Sequence, residues 1–302
     1  MRKGTAVLAL VLLAATAPLF AAPSQAVVSP AWLAEKLAAP GSVAILDARP
    51  SLKTYLEGHI PGAQPLVVEN LRSSAGGVAA TLYPWETLHL AMHRLGLGPQ
   101  TPVVVYAEES DIDATYVASI LRIAGLPDVS VLDGGFERWE AEKRPVTKER
   151  KLVPVSTDKL VPDGKALIPM AEVLAAVEKK SALLIDLRPP ALYAAGHIPG
   201  AKNRFWMKDV VPVGQPNAGS FRSEAEIKAE LEALGATKET PVIVYCTTGH
   251  QASEGFYTLK YRFNHPNVRF YNGSWLEWSI TPGTPKEKDP APAPAPPPAP
   301  AK

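Results

Sequence analysis

The chain of 302 residues sets 31 Lys and Arg against 30 Asp and Glu, for a formal net charge of +1, and it contains one cysteine, Cys246. With 20% of residues charged and no excess of either sign, nothing in it would hold nucleic acid or an anionic membrane surface. A single thiol excludes any internal disulfide.

The first residues carry Arg2 and Lys3, an apolar run interrupted by Pro18, and then Ser24-Gln25-Ala26 with small residues at the usual recognition positions. This pattern predicts a secretory signal peptide over 1–26, cleaved after Ala26, and hence an exported, periplasmic protein without stable membrane insertion. No cysteine follows the run, which rules out a lipoprotein, and no twin arginine precedes it, which favours the general export route. Exported proteins hold their cysteines in pairs, so a lone thiol is either an inert buried side chain or a functional one.

Beyond the leader the chain repeats itself. Ser29-Pro30 answers to Ile168-Pro169, each proline placed to open a helix. AILDARP at 44–50 answers to LLIDLRP at 183–189, and GHIPGA occurs at 58–63 and again at 196–201. TPVVVY at 101–106 answers to TPVIVY at 240–245, and LDGGFERW at 132–139 to YNGSWLEW at 271–278. Two copies of one domain follow, over 27–147 and 166–281. The polar, aperiodic segment 148–165 links them, and a Pro/Ala-rich tail of polyproline II character occupies 282–302.

The second copy is read in order as a helix near 169–179, a strand at 183–187, a helix at 191–194 and a helix at 223–234. A strand at 241–246, a helix at about 253–261, a strand at 267–271 and a helix at 274–278 follow. Strands rich in Val, Ile and Leu alternating with helices predict an α/β fold, each copy a parallel sheet flanked by helices on both faces. Ligands of such sheets bind at the carboxyl ends of the strands, where Cys246 lies. The segment Cys246-Thr247-Thr248-Gly249-His250-Gln251 then reads as a strand-to-helix loop whose amides curve around one point in front of a helix, an arrangement that favours an anion. The thiol is expected to ionise below the roughly 8.5 of a free cysteine. Gly249 supplies positive φ, and Thr247, Thr248 and Gln251 add uncharged hydrogen-bonding groups.

The doubled D-x-R-P and GHIPGA, the strand-Cys-x-x-Gly-x-x-Ala loop over 246–252, and the closing G-[GS]-[FW]…W of each copy resemble the tandem rhodanese family over nearly all of the chain between leader and tail. That resemblance implies a sulfurtransferase in which Cys246 attacks the outer sulfur of thiosulfate, releases sulfite, and passes the persulfide sulfur to cyanide, a thiol or a protein acceptor, with no metal or organic cofactor. Arg188, the Asp-x-Arg arginine, is implied as a substrate-binding cation. The loop departs from the commonest patterns. Thiosulfate-type members often carry a cation within it and mercaptopyruvate-type members have Gly and Ser after the cysteine, whereas this chain has Thr, Thr and then His250, a titratable cation for the donor or an exposed loop residue.

The repeat provides an internal control. Ala107 stands where the second copy has Cys246, followed by Glu108-Glu109-Ser110-Asp111-Ile112-Asp113, so the first copy has no nucleophile and its carboxylates would repel an anionic donor. That copy is expected to be structural and to shape one wall of the cleft. His59 and His197 persist in both copies and are expected to fix a turn. Arg49 in the first copy tempers the assignment of Arg188, because such a pair could simply brace the loop. Arg204, in NRFW, lacks a counterpart in ENLR of the first copy and is a further candidate for the donor's oxyanion end. A cysteine phosphatase needs Cys-x5-Arg, and Ala252 occupies the arginine's place. A persulfide carrier or binding module serving one partner is the remaining alternative.

Overall fold

The computed structural model describes residues 25–39, 41–108 and 112–290. The first repeat runs β1 (Val27–Val28), α1 (Pro30–Leu37), β2 (Ala44–Asp47), α2 (Leu52–Glu57), β3 (Ala63–Pro65), a hairpin of β4 (Arg72–Ala75) and β5 (Val78–Leu82), α3 (Trp85–Arg94), β6 (Val103–Tyr106), α4 (Ile112–Ile123), β7 (Val129–Leu132) and α5 (Gly135–Ala141). The second runs α6 (Met170–Lys179), β8 (Leu183–Asp186), α7 (Pro190–Ala195), β9 (Lys202–Asn203), α8 (Glu224–Ala233), β10 (Val242–Tyr245), α9 (Ala252–Tyr257), β11 (Val268–Phe270) and α10 (Ser274–Ile280).

The sheets have the orders β1-β7-β6-β2-β3 and β11-β10-β8-β9, with every pairing parallel. All four residues of β6 and of β10 are buried, as central strands covered on both faces require. Helix starts follow local chemistry. The Ser29 hydroxyl accepts from Trp32 N at 3.2 Å ahead of Pro30, and the Ser223 hydroxyl accepts from Glu226 N at 3.3 Å to open α8. The helix expected over 253–261 divides into α9 and a π turn over Thr258–Arg262, within which the Thr258 hydroxyl donates to Glu254 Oε1 at 3.1 Å.

The two repeats pack through α4 and α9, where the Thr115 and Ser253 hydroxyls meet at 3.1 Å. Each repeat also sends the segment after its GHIPGA onto the other. Ala80 in β5 accepts from Asn272 Nδ2 at 3.1 Å, and Phe221 N donates to Asp133 Oδ1 at 2.9 Å. Because Asn272 and Asp133 are equivalent positions of the repeat, the exchange is close to twofold symmetric.

His59 and His197 fix turns in the same way. Each Nδ1 bonds the carbonyl four residues back, of Tyr55 at 2.8 Å and of Tyr193 at 3.0 Å, and each ring stacks on that tyrosine at 3.9 Å. Each backbone also pairs with a strap that follows the last helix of its repeat, His59 with Thr147 and His197 with Glu287. That strap moves the expected boundary at 281. Trp278 Nε1 donates to Pro285 O at 2.8 Å and Asp289 N to Ala194 O at 3.1 Å, so 282–290 belong to the second domain. The remainder of the expected tail, 291–302, lies outside the described residues. Two residues of the expected leader, Gln25 and Ala26, lie among the described residues. Gln25 O accepts from the Ser130 hydroxyl at 2.5 Å, and Ala26 O accepts from Val131 N at 2.8 Å and from the Tyr257 hydroxyl at 2.6 Å. Gln25 and Ala26 thus lie against β7 ahead of β1, while 1–24 lie outside the described residues. The linker is laid on the first repeat, with Ser156 N on His93 O at 2.9 Å and Asp163 N on Ile123 O at 2.7 Å.

Candidate active site

Residues 246–251 turn from the end of β10 into α9, and the start of α10 staples them. Cys246 O and Thr247 O accept from Trp275 N and Leu276 N, each at 2.9 Å. Cys246 N and Gly249 N both donate to the Ser274 hydroxyl, at 3.1 and 3.0 Å, and that hydroxyl donates to Tyr271 O at 2.8 Å. Ser274 holds φ +54°, and its counterpart in the first repeat, Gly135, holds +58°. A serine accepts this unfavourable conformation here because its oxygen satisfies two loop amides that would otherwise be buried without an acceptor. Gly249 has φ +81°, and a Cβ there would stand 2.6 Å from Asn272 Oδ1, so the glycine is required for both conformation and space.

The backbone amides of Ala252, Thr248 and Gln251 lie close enough to Cys246 to favour its anionic form. Thr247, Thr248, His250 and Gln251 are half-buried around it, and Cys246 itself is 1% exposed. This enclosure reverses the expected direction of the thiol's ionisation. Burial pushes the Cys246 thiol above its ordinary value and outweighs the downward pull of the three amides. The helix behind the loop, α9, has only six residues, so it offers a modest dipole. Burial thus disfavours the thiolate, and the nearby amides favour an anion on the sulfur.

One wall of the site comes from the first repeat. Asp113, at the start of α4, sets its carboxylate against His250 Nε2 across the domain interface. Tyr116 meets the His250 ring edge-on at 5.7 Å and donates its hydroxyl to Asn272 Oδ1 at 3.0 Å. Arg72 of β4 stands over the Tyr116 ring, 5.4 Å from its centroid, and is held through Nε and Nη2 by the Glu69 carboxylate. His250 is thus packed against Asp113 and Tyr116 of the first repeat, not a free loop residue. The expectation that the carboxylates of the first repeat only repel also changes, because Asp113 is committed to His250; Glu109 and Asp111 lie outside the described residues.

With this geometry in hand, the sequence pattern of the rhodanese-like domain matches the chain twice, over 29–142 and 169–281. The chain belongs to the rhodanese family. It is 32% identical over 292 residues to the sulfur carrier protein TtuD of Thermus thermophilus, covering 87% of this chain and 97% of the relative. It is 29% identical over 273 residues to a thiosulfate sulfurtransferase of Corynebacterium glutamicum, covering 84% and 87%. The crystal structure of SseA from Escherichia coli, described as showing the rhodanese fold of 3-mercaptopyruvate sulfotransferases, superposes with a TM-score of 0.74 at 29% identity, covering 83% of this chain and 99% of SseA.

Two arginines expected at the donor site of this rhodanese are engaged by carboxylates. Arg188 is 2% exposed, bonds both carboxylate oxygens of Asp186 through Nε and Nη2 at 2.6–3.0 Å, and donates from Nη2 to Gly196 O at 2.7 Å. Arg49 makes the same bonds to Asp47 and Gly58 O in the repeat that has no nucleophile. The Asp-x-Arg pair is a brace between strand end and GHIPGA turn, and its carboxylate already fills the fork an anion would occupy. Arg204 is likewise 2% exposed and pairs with Asp209 at 2.5 Å and Glu230 at 3.2 Å. Beside it Glu254, in the first turn of α9, is pushed well above the usual carboxylate range by burial and by Asp209. Arg204 therefore ties Asp209 to Glu230 of α8, in a compartment whose carboxylates would exclude a further anion.

The features that sequence reasoning missed are Ser274, Asp113, Tyr116 and Arg72. Only Ser274 left a trace, as the serine aligned with the second glycine of LDGG. Ser274→Ala removes the shared acceptor of two buried amides and is expected to cost about 1–3 kcal/mol of stability. Urea unfolding checks this, and an unchanged midpoint would contradict the stapling role.

Proposed function

We propose that this rhodanese is a thiosulfate sulfurtransferase working through a persulfide on Cys246. The observation that carries the reading is the buried Cys246 at the end of a parallel strand, ahead of a tight turn into a helix, in the one repeat that has a cysteine at that position. The Cys246 sulfur attacks the outer sulfur of thiosulfate, and the S–S bond of the donor breaks. Its electron pair leaves on sulfite, which takes up the thiol proton. The persulfide anion that remains on Cys246 lies against the loop amides, replacing water with fixed dipoles. Cyanide or a thiol then takes the terminal sulfur and restores Cys246, so the two half-reactions follow ping-pong kinetics. Thiosulfate is preferred over 3-mercaptopyruvate as donor because the half-buried loop residues Thr247, Thr248 and Gln251 offer short polar groups suited to a compact oxyanion.

Thiocyanate formation from thiosulfate and cyanide, run in parallel with 3-mercaptopyruvate, tests the donor. A larger kcat/KM for thiosulfate is expected, and a preference for mercaptopyruvate would overturn the assignment. The likeness to a sulfur carrier favours one second reading, in which Cys246 is loaded but releases its sulfur only to a protein partner. Loading by thiosulfate without turnover to cyanide would identify that case.

The export of the protein is part of the same proposal and is supported by the leader-like pattern of 1–26. Among the described residues no helix is long and apolar enough to cross a membrane. N-terminal sequencing of the protein from a periplasmic extract checks it, and an intact Met1 in the cytosolic fraction alone would refute it.

A further inference from the structure

We propose that Arg72, contributed by the repeat that lacks a nucleophile, is the cation that selects anionic sulfur donors at Cys246. This deepens the sulfur-transfer reading and rests on it. Its guanidinium side chain is 10% exposed, with Nε and Nη2 taken by Glu69, while Nη1 is buried without a hydrogen bond of good geometry and has the Tyr116 hydroxyl as a neighbouring polar group. A buried guanidinium nitrogen without a well-placed acceptor is costly unless an acceptor arrives as ligand.

The surroundings bring the Arg72 side chain beside the catalytic loop through Tyr116. Tyr116 carries Arg72 over its ring and meets His250 with the same ring, and its hydroxyl holds the Asn272 side chain that lies against Gly249. Tyr116 is also close enough to Cys246 for a charge on the sulfur to act on its hydroxyl.

The other cations around the loop are less suited. Arg188 is forked onto Asp186, and His250 faces Asp113. Arg204 also has nitrogens without partners, but it stands among Asp209, Glu230 and Glu254. The carboxylate on Arg72, from Glu69, is 70% exposed and therefore well screened by water, which leaves Arg72 the better partner for an entering oxyanion. The hairpin that carries Arg72 is anchored on the second repeat through Ala80 and Asn272, so the cation is held in register with the loop.

The test compares wild type with Arg72→Gln and Arg72→Lys in the full chain, using two alkylating probes of the same size and leaving group, anionic iodoacetate and neutral iodoacetamide. Each forms a thioether at Cys246 and expels iodide. Arg72→Gln is expected to slow iodoacetate about tenfold while leaving the iodoacetamide rate unchanged, and to raise the KM for thiosulfate about tenfold with kcat nearly constant. Arg72→Lys should recover part of both effects. Equal slowing of the two probes, or an unchanged iodoacetate rate, would overturn the inference. Because alkylation needs no sulfur transfer, that result is separable from a failure of the function itself, which would show as wild type taking no sulfur from thiosulfate.

Discussion

Cys246→Ala is expected to abolish thiosulfate-dependent thiocyanate formation while leaving the protein folded. The fold has already carried out this substitution once. Ala107 occupies the matching strand end, 2% exposed, and its carbonyl accepts from Phe136 N at 2.9 Å as that of Cys246 accepts from Trp275 N at 2.9 Å. Loop and strand are therefore compatible with a methyl group there, and losing one buried sulfur should cost about 1 kcal/mol, in the range of a single methylene deletion. Activity and a urea unfolding curve of the same preparation check both halves. Residual turnover near the wild-type rate would mean that the sulfur passes through another group, and an unfolded variant would mean that the thiol is a packing requirement.

Arg188→Ala and Arg49→Ala are expected to destabilise their domains by similar amounts, about 3–5 kcal/mol each, because each leaves a buried carboxylate without its partner. Asp186 and Asp47 are 0% and 1% exposed, so neither can be rescued by water without local opening. The comparison separates bracing from binding. A brace predicts matched losses in the two repeats, measured as shifts of the unfolding midpoint for each variant. A substrate cation predicts a raised KM for Arg188→Ala with little loss of stability, and no effect of Arg49→Ala beyond its own domain.

The parallel sheets, the placement of Cys246 and the bracing histidines were legible because each rests on local chemistry that the repeat displays twice. Buried VVVY and VIVY strands, glycine at the left-handed position 249 and the matched GHIPGA turns need no knowledge of distant residues. The carboxylates that hold Arg188 and Arg204 were hidden for one shared reason. A charged residue near a strand end reads the same in sequence whether it faces the cleft or a carboxylate, and only the fold brings Asp209 and Glu230 to Arg204. The wall made by Arg72, Asp113 and Tyr116 was hidden because it comes from the other repeat, on a hairpin and a helix start with no counterpart at the site. The direction of the thiol shift was misread because a helix after the loop is visible in sequence and complete enclosure of the sulfur is not; at 1% exposure the enclosure dominates. The strap over 282–290 escaped because its proline-rich composition resembles a solvated tail, although its backbone pairs with His197.

Intact mass after incubation with thiosulfate tests the central claim most directly, since it reads the covalent intermediate irrespective of acceptor. Wild type is expected to gain one sulfur atom, to lose it on addition of cyanide, and to gain none when Cys246 is alanine. An unchanged wild-type mass, or a gain that persists in Cys246→Ala, would contradict the account.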